Sequence, residues 1–174
     1  MKLVHKIIIA AIFNFLSAPV FSQNIQTTIK IQAMDMARAL IKNDFNSFVG
    51  FMYPKIVEYA GGREKLKQNM DSASEAMIKF GVEFKKIIIG DPGPIVSFQN
   101  QLQCVVPQTT TLQTLLGQVE AETSLVAISA DKGKKWWFVD TNIYKADKLK
   151  KILPELSAAL VIPPQKEPKI TPKE

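Results

Sequence analysis

The sequence predicts an α+β domain in which N-terminal helices pack in a curved antiparallel sheet and a short helical extension closes the chain. Three observations lead there. From Ile25 to Phe80 apolar residues recur every three or four positions, the period of a helix. After Gly81 the period falls to two, the period of a strand. The two regimes do not interleave, so the helices precede a meander and do not alternate with its strands.

The chain opens MKLVHKIIIAAIFNFLSAPVFSQ, with Lys2 and Lys6 ahead of an apolar stretch that ends in small residues. That order is a secretory leader, residues 1–22, with cleavage near Ser22/Gln23 and an exported, periplasmic or extracellular product. The leader carries away His5, the sole histidine. Without it Ser-His-Asp catalysis, Cys-His catalysis and histidine-ligated metal are excluded. One cysteine, Cys104, allows neither an internal disulfide nor a thiolate cluster. The formal charge of +6, less the two leader lysines, leaves +4, a mild excess that points away from nucleic acid. Residues 23–162 suffice for one domain, and no stretch after the leader is long and apolar enough to span a membrane.

Residues 24–41, NIQTTIKIQAMDMARALI, put Ile25, Ile29, Ala33, Met36, Ala37, Leu40 and Ile41 on one helical face. Asn43 or Asp44 ends this helix or caps a second, whose stripe is Phe45, Phe48, Val49 and Met52. Pro54 stops it, and KIVEYA reads as a short turn into Gly61–Gly62. Adjacent glycines lack the spacing of a phosphate-binding loop and no strand precedes them, so they are a hinge. Residues 63–80 form the longest later helix, with Leu66, Met70, Ala73, Met77 and Phe80 in its stripe and Gly81 as its stop.

Strands follow. VEFKKIIIG is the first, DPGP a turn, and IVSFQNQLQCVV the second. The second reads as half-buried, with Val96, Phe98, Leu102, Cys104 and Val106 inward and Ser97, Gln99, Gln101 and Gln103 outward. Residues 109–130 read as one long strand bulged near Gly117, and KWWFVDTNIY as its return after the DKGK turn. A helix to Leu153 and a short piece from Pro154 complete the domain. Residues 163–174, rich in proline and lysine, read as a disordered tail.

ALIKNDFNSFVGFMYP and GKKWWFVDT, with the order of elements over residues 25–144, resemble the nuclear-transport-factor-two-like superfamily of ketosteroid isomerases and SnoaL-like cyclases. The resemblance implies a cone-shaped, cystatin-like roll with a pocket at one end, often dimeric through the sheet. LPELSAALVIPP has no place in that pattern. The family's isomerases need a carboxylate base and oxyanion donors in an apolar pocket, and no position here matches that base.

The expected ligand-binding residues are therefore apolar: Phe45, Phe48, Met52, Phe84, Phe98 and Trp136. The catalytic candidates are Asp44, which also reads as a helix cap, and Tyr53, Glu58 and Tyr59 around the proline turn. Trp136 and Trp137 point to opposite faces, one into the core and one toward a pocket or interface. Cys104 reads as an inert buried thiol, and Lys145, Lys148, Lys150 and Lys151 as a solvated helix face. No cofactor or metal is expected. Three functions remain open: a non-enzymatic domain binding a small apolar ligand or a protein partner, an isomerase or lyase using a carboxylate base and a tyrosine donor, and a dimeric assembly subunit.

Overall fold

The computed structural model describes the backbone of residues 18–173 and the side chains of residues 24–173. Most of the expected leader, residues 1–17, lies outside the described residues. The order of elements is α1 (Ala18–Ile41), α2 (Phe45–Phe51), α3 (Pro54–Tyr59), α4 (Arg63–Lys79), β1 (Glu83–Ile89), β2 (Val96–Phe98), β3 (Gln101–Thr114), β4 (Gly117–Ser129), β5 (Trp137–Asp140), α5 (Ala146–Ile152) and β6 (Lys169–Pro172). The strands form one open antiparallel sheet in the order β1-β3-β4-β5, with β2 beside β3 and β6 beside β4. No helix among the described residues is long and apolar enough to cross a membrane.

The helices follow from local chemistry. Asp44 caps α2 by accepting the Ser47 amide at 3.1 Å, which satisfies a donor at the helix start. Pro54 does not merely stop α2. It occupies the first position of α3, where a missing N–H costs nothing, so KIVEYA is helical and not a turn. Gly61 and Gly62 sit at φ +95° and +94°, conformations that glycine alone adopts freely, and reverse the chain between α3 and α4.

The sheet corrects the strand boundaries. IVSFQNQLQCVV is a hairpin, not one strand: Gln99 and Asn100, at φ +47° and +60°, form a two-residue turn between β2 and β3. Val96 therefore pairs with Gln103 and shares its face, opposite to Leu102, Cys104 and Val106. Residues 109–130 likewise divide at Leu115–Leu116, where Thr114 pairs with Gly117. The result is a hairpin of 14- and 13-residue strands.

Both faces of this hairpin are covered over the half that holds residues 103–106 and 125–128. On one, Ile29, Ala33, Met36 and Ala37 of α1 pack on Cys104, Val106, Leu125, Ala127 and Phe138, with Trp136 fully buried among them. The other face was expected to be wet. There Val126, Ile128 and Val139 bury against Ile56 of α3 and against Leu149, Leu153, Leu156 and Leu160. The chain passes between the faces at β5, where Met52 bridges Phe138 and the Tyr53 amide donates to the Phe138 carbonyl.

LPELSAALVIPP is thus half of the second core, and Gln103 is what holds it. Gln103 is fully buried, not outward-facing; its Nε2 donates to the Glu155 carbonyl at 2.8 Å and its Oε1 accepts the Ser157 amide at 2.9 Å. The tail expected to be disordered instead runs along the free edge of β4 as β6, with Lys166 and Lys169 beside Glu122. Replacing Gln103 by methionine leaves the Glu155 carbonyl and the Ser157 amide buried without partners. Urea unfolding should show a loss of about 2–4 kcal/mol.

Candidate functional site

The apolar sheet face is filled by α1 at the end near Trp136 and left open toward the β3–β4 turn. There α4 spans the gap, and between helix and sheet lies a cavity of about 420 Å³. Its floor is the continuation of the same strand faces: Ile87 of β1, Thr110 and Leu112 of β3, Ala121 of β4 and Phe138 of β5. Its wall is α1 and α2, and its roof is Leu66, Met70, Ala73 and Met77 of α4.

The roof is unusual for an amphipathic helix. α4 runs 17 residues without a single buried one, because its apolar stripe faces the cavity and not a packed core. Polar contacts at its edges hold it: Arg63 donates to the Asn46 carbonyl and Ser74 Oγ to Asn43 Oδ1 at 3.1 Å. Phe80, expected in the stripe, is 70% exposed beyond the helix end.

Four of the six expected lining residues, Phe45, Phe48, Met52 and Phe84, do line this cavity. Phe98 and Trp136 do not. The Gln99–Asn100 turn puts Phe98 on the opposite sheet face, and Trp136 lies inside the α1 core with its indole N–H donated to the Gly133 carbonyl. Trp137 sits on the second face, edge-on to Tyr53 and beneath Lys135.

The catalytic candidates are dispersed. Asp44 is an exposed cap, its carboxyl held below the ordinary value by the hydrogen bonds from Ser47. Glu58 is exposed, and Tyr59 lies outside the cavity, edge-on to Tyr144 with Lys148 over both rings. Tyr53 faces the second core, where its hydroxyl donates to Glu155 Oε1 at 3.1 Å and accepts from Gln101. Burial pushes the Glu155 carboxyl up, but the bond from Lys55 at 2.8 Å and the one from Tyr53 outweigh it and hold the group low. Glu155 Oε2 is buried with no hydrogen-bond partner. These groups clasp the C-terminal segment and do not meet the cavity.

The cavity has one carboxylate, which the sequence reading passed over. Asp140, at the end of β5, receives the Asn142 amide on Oδ1 at 2.7 Å and Gln108 Nε2 on Oδ2 at 3.3 Å. Gln108 also donates to Thr123 Oγ1 at 3.4 Å. Burial pushes the Asp140 carboxyl above its ordinary value, more than these two donors pull it down. The alternation Phe138–Asp140 was visible in GKKWWFVDT, and it does put both on one strand face. That this end of the face is roofed depends on α4, which lies more than sixty residues earlier in the chain. Among the described residues no cluster of three or more metal-ligating side chains occurs, and Cys104 is a buried thiol pushed up to about 12 by desolvation.

The chain was compared with family models, curated proteins and solved structures, and none matches.

Two outcomes follow. Asp44→Ala removes a cap and should lower the urea midpoint while leaving the cavity intact. For Asp140 the folded protein holds its proton more tightly than the unfolded chain does. Stability therefore declines as pH rises from the ordinary aspartate range through the raised value. In the ligand-free protein, Asp140→Asn should raise the melting temperature at neutral pH, and the gain should vanish below the ordinary aspartate range.

Proposed function

We propose that this is an exported, non-enzymatic binding domain whose ligand is a small, mainly apolar molecule held between α4 and the sheet. The observation that carries the reading is a helix with its apolar stripe turned into a 420 Å³ cavity and no residue buried. A fold gains nothing by keeping Leu66, Met70 and Met77 over empty space, whereas a ligand completes their burial. Gln108, Thr123 and Asp140 supply the few polar groups that orient a guest. The reading accords with a cone-shaped roll of the nuclear-transport-factor-two-like kind, pocket at one end, with the C-terminal segment as an addition to it.

The enzymatic alternative moves away from Asp44, Tyr53, Glu58 and Tyr59. It is supported only by Asp140 as base, with Tyr144 also among the lining residues. Assembly through the sheet has less support. The second face is covered at one end and carries Thr109, Thr111, Glu120 and Glu122 at the other, which is no apolar patch.

The test is binding of a neutral apolar dye, N-phenyl-1-naphthylamine, whose fluorescence rises on leaving water. Wild-type protein should bind it with one saturable site. Ala121→Phe, which plugs the floor, should lose at least about tenfold in affinity, roughly 1.4 kcal/mol, with its far-ultraviolet circular dichroism unchanged. Equal binding by the two proteins overturns the reading.

A further inference from the structure

Apolarity alone does not choose the ligand; the charge pattern of the cavity does. Of its 24 lining residues, Asp140 is the only aspartate, glutamate, lysine or arginine. Both its oxygens already accept one hydrogen bond, from Asn142 N–H and from Gln108. An ionised carboxylate is an acceptor only, so what it can still select is a donor. A desolvated carboxylate lacking a cation is costly to keep, and no lysine or arginine of the lining supplies one. Four phenylalanines, Phe45, Phe48, Phe84 and Phe138, are among the residues that line the same space. Ring faces attract cations and do nothing for anions.

From this juxtaposition we infer that the ligand is an apolar amine, its ammonium paired with Asp140 and its hydrocarbon body under α4. The inference rests on the cavity-binding reading above and narrows it to one chemical class. Lys148, 5.9 Å from the centroid of the Tyr144 ring, is exposed, so water and salt screen it from the interior. Without the two leader lysines the chain is still basic, at +4, so the protein surface repels an ammonium and any preference for one must come from a local site.

The experiment is displacement of bound N-phenyl-1-naphthylamine by decylamine, decanol and decanoic acid, at pH 7 and below their micelle concentrations. A charge-assisted hydrogen bond exceeds a neutral one by enough to make decylamine about tenfold more potent than decanol. Decanoic acid, ionised and facing Asp140, should be the weakest. In Asp140→Asn the ratio of decylamine to decanol should collapse toward one, while the exposed-surface variant Glu75→Gln should keep it. If the dye binds but decanol or decanoic acid displaces it as well as decylamine does, the amine assignment is overturned and cavity binding stands. A preference for decylamine that survives in Asp140→Asn likewise overturns the assignment. If the dye does not enter the wild-type cavity, both readings fall.

Discussion

The run from Ser124 to Ser129 is buried residue after residue, and everything else in the fold answers to it. Side chains alternate across a strand, so Leu125 and Ala127 need cover on one face while Val126 and Ile128 need it on the other. Helix α1 supplies the first cover. The second comes from α3, reached by crossing the β5 edge at Met52–Tyr53, and from the segment around Leu153–Leu160. The covering layers reach only part of the way along the β3–β4 hairpin. Where α1 ends, the strands continue, and the cavity is the consequence.

Much of this was readable in the residues. The helical stripes of α1 and α4, the Asp44 cap, the glycine hinge and the buried Cys104 all follow from spacing and residue type, because each is decided within a few positions of itself. The errors share a different cause. Gln99–Asn100 and Leu115–Leu116 are turns without proline, and the pairing of the strands that flank them fixes their place. A 22-residue strand would reach about 70 Å, far beyond ordinary strand length, and that alone argued for a hairpin. Gln103 was assigned to solvent because glutamine is usually exposed; its burial depends on a segment more than fifty residues away. Asp140 was overlooked for the same reason. Its strand face was legible, its roof was not.

The two cores differ in how they are closed. The C-terminal side is tied by directed bonds: Gln103 to the backbone at Glu155 and Ser157, Tyr53 and Lys55 to the Glu155 carboxylate. These fix one arrangement, since a buried polar group off its partner costs more than a misplaced methyl. The α4 side has a cavity beneath its apolar stripe and is held by polar bonds at its rim. Such a helix belongs to the low-stability end of a structure, where opening costs little free energy and leaves the rest folded. On the binding reading proposed above, an occupant would stabilise the closed state by mass action.

One thiol in the whole chain, sealed beneath α1 with its proton held until about pH 12, makes Cys104 a built-in reporter. Alkylating reagents attack thiolates, so the folded protein is silent to them and each modification records an excursion that lifts helix from sheet. Because the cavity lies farther along that same sheet face, labelling kinetics distinguish breathing of the roof alone, which leaves the sulfur unreacted, from detachment of the layer beside it.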